Sequence, residues 1–101
     1  MSTSVLARDL ETVREIVLEQ LKGYKARVYL FGSQATGKAK RYSDIDVGVL
    51  PLEPLPDLVF FKIREKLEES DVIRTVDVVN LLEAGDTLRK RVAEEGILWT
   101  E

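Results

Sequence analysis

The residues able to do chemistry are concentrated in one stretch, FGSQATGKAKRYSDIDVGVL, positions 31 to 50, with a further acidic residue, Asp77, downstream. Asp44 and Asp46 are two residues apart in a β-branched run. On a strand, that spacing sends both carboxylates to one face, about 6.5 to 7 Å apart. Two anions facing one way repel and resist desolvation unless water or a cation compensates them. Asp77 lies among Val76, Val78 and Val79, in a run that reads as an interior strand where a carboxylate needs a reason. If that strand adjoins the Asp44–Asp46 strand, three carboxylates meet, and an all-oxygen set selects hard cations such as magnesium or manganese. The plainer alternatives are a wet outer face on an edge strand for the pair, and an edge or helix-capping position for Asp77.

The chain contains no cysteine and no histidine. Disulfide scaffolds, thiol nucleophiles, imidazole bases, Ser-His-Asp triads and Cys/His zinc sites are therefore excluded. Carboxylate, hydroxyl and backbone chemistry remain. Gly32 to Lys38 imitates a P-loop, G-x-x-x-x-G-K, but the next residue is Ala39 where that motif needs Ser or Thr for magnesium. Only a few residues then separate Lys38 from the carboxylates, too few for the helix whose N-terminus would hold the phosphates. A calcium loop fails as well, because Asp44, Asp46 and Gly48 are followed by neither the next oxygen ligand nor the closing glutamate. From Lys22 to Ser43 there are six basic residues (Lys22, Lys25, Arg27, Lys38, Lys40 and Arg41) and no acidic one, a pattern compatible with a local anion site or with solvated surface charge.

The elements that must position these groups follow from periodicity. Leu10, Val13, Val17 and Leu21 form one helical face, which Gly23 ends. Arg27 to Phe31 reads as a buried strand stopping at Gly32. A Gly-rich turn leads to a second strand, where Ile45, Val47 and Val49 alternate with Asp44, Asp46 and Gly48, ending before Pro51. Pro51, Pro54 and Pro56 mark the loop into a helix built on Val59, Phe60, Ile63 and Leu67. Thr75 to Asn80 is a third strand, and Leu88 and Val92 anchor a last helix closed by Gly96. Ile97 to Thr100 completes the chain as a short strand. The expected fold is α/β (α+β), a small mixed β-sheet flanked by helices, in one domain over residues 1–101. With 101 residues, 45% hydrophobic and 33% charged, the chain has room for one core and no second lobe. A net charge of -3 argues against general affinity for nucleic acid or anionic membrane. No apolar run is long enough for a membrane span and no leader is evident, so the expected address is cytoplasmic.

Gly32 and Ser33 after a strand, Gly37, then Ser43, Asp44, Ile45 and Asp46, and a later strand with Asp77 resemble the DNA polymerase beta-like nucleotidyltransferase superfamily, most closely its minimal members. The resemblance implies the nucleotidyltransferase fold, ATP as donor, and two divalent ions, Mg2+ or Mn2+, held by Asp44, Asp46 and Asp77. It implies phosphate contacts at Gly32 and Ser33, with Ser43, Lys38 and Arg41 as further nucleotide-binding candidates. Gln34 and Thr36 depart from the arginines common at those positions, and Tyr42 from a small residue. Minimal members are commonly paired with all-helical HEPN toxins, so the resemblance further implies an antitoxin that transfers AMP to a tyrosine of such a partner, in a hetero-oligomer. Transfer to a small acceptor such as an antibiotic, and a non-catalytic module that masks its partner, are the alternatives. Ile97, Leu98 and Trp99 are candidate partner contacts, with Trp99 equally suited to closing the chain's own core.

Overall fold

The computed structural model describes residues 5–38 and 43–100. The sequence-level assignments at Lys40, Arg41 and Tyr42 lie outside the described residues. Element order is α1 (Val5–Gln20), β1 (Ala26–Phe31), α2 (Ser33–Thr36), β2 (Ile45–Pro51), α3 (Asp57–Glu69), β3 (Val76–Asn80), α4 (Asp86–Glu95) and β4 (Ile97–Leu98). One four-stranded mixed sheet has the order β3-β2-β1-β4. β1 is antiparallel to both β2 and β4, while β2 and β3 run parallel, joined through α3.

The alternation read in the sequence sorts the two faces. Val28, Leu30, Ile45, Val47, Val49 and Val78 face α1 and α3 and form the main core with Val13, Val17, Ile63 and Leu67. Burying such side chains contributes about 1.5–3 kcal/mol each, which makes this face the anchor of the sheet. On the other face Phe31, Leu81 and Val92 form a smaller cluster beneath α4. Gly48 is part of this packing: a Cβ there would meet Leu81 Cδ1 at 2.9 Å, so its missing side chain makes room for leucine. The polar members of the second face, Asp46 and Asp77, lie beyond this cluster, toward the N-terminal ends of β2 and β3.

Several boundaries differ from expectation, among them β1, which begins at Ala26, and β4, which ends at Leu98. The Gly-rich turn contains a single helical turn, α2, capped by Gly37 in the left-handed conformation at φ 76°. Pro51 is the last residue of β2, opposite Ala26, and the loop begins at Leu52. β3 begins at Val76, and Asp44 precedes β2. β3 is an edge strand, which corrects the interior reading of Asp77: that side chain is exposed. Valines at 76, 78 and 79 mimic an interior strand because α3 and the second cluster cover both faces of the strand around Asp77. At the other edge, Trp99 packs against the main core and its backbone amide donates to the Val28 carbonyl at 2.7 Å. Trp99 therefore closes this chain's own core, while Ile97 and Leu98 stay exposed.

Candidate active site

The site grows out of the point where β1 ends and β2 and β3 begin. Phe31, the last residue of β1, is the register partner of Asp46, and Asp46 is in turn the partner of Asp77. Cross-strand partners share a face, so the ladder places the two carboxylates side by side. Asp44, two residues earlier, precedes the strand and is exposed. The Asp46 carboxyl is pushed above the usual carboxylate range, first by partial burial, then by the charges of Asp77 and Asp44.

Gly32 fixes the other half. Its φ of 74° suits glycine alone, and a Cβ there would stand 2.3 Å from Asp46 Oδ2. The backbone after β1 thus lies directly against a carboxylate, with no room for a side chain between them. The Gly32 carbonyl accepts from the amides of Ala35 and Thr36 at 3.0 and 3.2 Å, which shapes the one-turn α2. The amides of Ser33 and Gln34 fall before the first helical bond, and among the described residues neither has a backbone acceptor. The P-loop alternative stays excluded, since β2 begins at Ile45, too soon after Lys38 for that motif's helix.

Gln34 was not assigned a role from sequence beyond its departure from arginine. Its Nε2 donates to the Ser43 carbonyl at 3.1 Å, tying α2 to the residue preceding Asp44. Spacing alone gives no sign of this, because the two partners are nine positions apart and meet only in the folded chain. Lys38 is exposed immediately after the Gly37 cap. Gly32, Ser33, Ser43, Asp44, Asp46 and Asp77 therefore cluster around one end of the sheet, and Lys38 borders the same turn.

The donor chemistry suits a hard divalent ion. Among the described residues, no lysine or arginine forms an ion pair with Asp44, Asp46 or Asp77. Partial burial and the neighbouring charges of Asp77 and Asp44 all disfavour the Asp46 anion, and a bound cation would offset them. The backbone brings the three acids together, yet among the described residues no three acidic side chains already converge as a ligand cluster. Asp44 and Asp77 are exposed, so a change of rotamer is open to both. A groove of about 920 Å³ elsewhere, lined by Ile16, Leu18 and Glu19 of α1 and Lys66 and Glu69 of α3, contains none of these residues. No helix among the described residues is long and apolar enough to cross a membrane.

Residues 15–101 match the family described as Polymerase beta, Nucleotidyltransferase. Over 86 residues the chain is 31% identical to the probable protein adenylyltransferase MntA of Haemophilus influenzae, covering 85% of this chain and 74% of that protein. Over 69 residues it is 36% identical to the protein adenylyltransferase MntA of Shewanella oneidensis, covering 68% of this chain and 49% of the relative, about half its length. The crystal structure of a toxin-antitoxin with AMP-PNP is similar at a TM-score of 0.66 and 28% identity, over 86% of this chain and 72% of that one.

Proposed function

This chain belongs to the polymerase beta nucleotidyltransferase family, and from that membership we propose that it transfers AMP from ATP to a hydroxyl of a partner protein. The partner in this reading is a HEPN-type all-helical toxin and the acceptor one of its tyrosines. The chain then acts as the antitoxin of the pair, in a cytoplasmic hetero-oligomer. The adenylyltransferase names of two relatives and the nucleotide analogue in a similar toxin-antitoxin structure support it. The observation that carries it is the register of Asp46 with Asp77 beside the side-chain-free Gly32.

Each residue has a part in the reaction. The amides at the start of α2 and the Ser33 hydroxyl hold the β- and γ-phosphates, and Gly32 lets them approach the carboxylates. Lys38 offsets charge on the departing pyrophosphate, with Ser43 and Arg41 as further nucleotide contacts. Asp44, Asp46 and Asp77 would hold two Mg2+ ions, Mn2+ being of the same class. When bound, such ions lower the pKa of the acceptor hydroxyl and neutralise phosphate charge. The tyrosine oxygen forms a bond to the α-phosphorus as the bond to pyrophosphate breaks, and the exposed Asp77 carboxylate accepts the phenolic proton.

The test is incubation of the chain with α-labelled ATP, magnesium and a HEPN-type all-helical protein. The expected result is label on the partner, a mass gain of one or more AMP units, and loss of both with Asp44→Asn. An unlabelled partner, or equal labelling by wild type and Asp44→Asn, would refute the proposal.

A further inference from the structure

Asp9 is the buried charge of α1, on the same stripe as Val13 and Val17. Its Oδ2 accepts from Arg74 Nη1 at 2.9 Å, and the two side chains are only 7% and 14% exposed. The other ion pairs among the described residues, Lys66–Glu69 and Arg89–Asp86, are exposed neighbours on single helices. Asp9–Arg74 instead links the first helix to the segment that enters β3.

Stability is a poor account of this pair. Withdrawing two charges from water costs several kcal/mol per ion, and a packed apolar pair of similar volume is often as stable or more so. Position is a better one. Arg74 precedes Thr75, whose carbonyl accepts the Ile45 amide at 2.9 Å, and the next rungs pair Ile45 with Val76 and Asp46 with Asp77. The five residues of β3, VDVVN, specify that register weakly. A slip of one residue would turn Asp77 toward the core, which burial opposes. A slip of two keeps Val78 on the core face yet carries Asp77 about 7 Å along the strand, away from Asp46.

We infer that the Asp9–Arg74 ion pair is a positioning device, which pins the entry of β3 to α1 and so holds Asp77 opposite Asp46. Its effect on catalysis rests on the nucleotidyl-transfer reading above; its effect on register does not. Arg74 and Asp9 are positioning residues that act through Thr75 and the strand.

The test replaces the pair by apolar residues of similar volume, Asp9→Leu with Arg74→Met, in the full chain. Arg74→Lys, which keeps the charge, is the conservative control. Backbone NMR reads the register directly through the Asp46–Asp77 cross-strand contacts and through exchange of the Ile45 amide. In the double variant the expected result is unfolding at an unchanged or higher temperature, with Ile45 exchange at least tenfold faster and the Asp46–Asp77 contacts weakened. AMP transfer should fall at least tenfold in kcat with KM for ATP unchanged, and Arg74→Lys should retain most of it. Wild-type exchange and cross-strand contacts in the double variant would overturn the inference. So would a double variant that does not fold, because the pair would then be a stability element. If the wild-type chain transfers no AMP, the functional proposal fails while the NMR comparison still decides this one.

Discussion

Asp46→Asn should make the protein more stable and less active, and the structure gives the size of the gain. Asp46 is half-buried, flanked by Asp77 across the ladder and Asp44 along the chain, with no basic partner among the described residues. At the roughly 5–6 Å separation typical of neighbouring strands, two carboxylates in a water-like dielectric repel by about 0.7 kcal/mol. Asp44 and Asp77 are exposed, so solvent and salt screening reduce that figure. Two such neighbours plus the partial desolvation of Asp46 amount to about 1 kcal/mol, which in a domain of this size moves Tm by about 4–8 °C. Thermal unfolding at neutral pH, low salt and without divalent ions should show that rise in Asp46→Asn, and 1 M NaCl should shrink it. The pH dependence has a definite sign. The folded chain binds the Asp46 proton more readily than the unfolded chain, so wild type recovers stability relative to Asp46→Asn as pH falls toward the carboxylate range. The gap reopens as pH rises through the elevated Asp46 pKa. Millimolar Mg2+ or Mn2+ should stabilise wild type and leave the variant nearly unchanged. A lower Tm for Asp46→Asn, or a gain insensitive to both salt and pH, would refute the picture of three uncompensated charges.

Gly32→Ala should lose about 1–3 kcal/mol to backbone strain, since its φ is 74° and its new Cβ would strike Asp46 Oδ2; denaturant unfolding and ATP-analogue titration should both show the damage. Gly48→Ala should cost about 1–3 kcal/mol through overpacking against Leu81, but transfer per folded molecule should be unchanged because that contact lies outside the site. Gln34→Ala should cost about 1 kcal/mol through loss of its bond to the Ser43 carbonyl, with a raised KM for ATP in steady-state assays. Ile63→Ala, fully buried in the main core, should lose about 2–5 kcal/mol in denaturant unfolding without a specific change in transfer.

Most of the fold was legible because apolar spacing maps onto burial with little interference. Val13, Val17 and Leu21 face the core as their period implies, and Ile45, Val47 and Val49 alternate as expected. The candidate site was legible in its acidic members because carboxylates in β-branched runs are conspicuous. The edge location of β3 was not, since three valines in five residues are equally consistent with a central strand. Asp9 left a signal that was not used: its spacing of four and eight from Val13 and Val17 puts an acid on the apolar stripe, which demands a partner. No rule of spacing identifies that partner, 65 positions away, because only tertiary structure brings Arg74 to α1. The same holds for Gln34 and Ser43, nine positions apart and joined only in the folded chain.

The outermost ribbon of the sheet carries Asp77 in the open. Among the described residues, the carboxylates that the proposed transfer would use stand on a ledge and not in a well. A ledge receives a hydroxyl that juts from another folded surface, and it lacks the walls that would sort free metabolites by shape. On the proposed reading, discrimination among acceptors falls to surfaces away from the aspartates, and the turnover number should follow how long the two macromolecules stay docked.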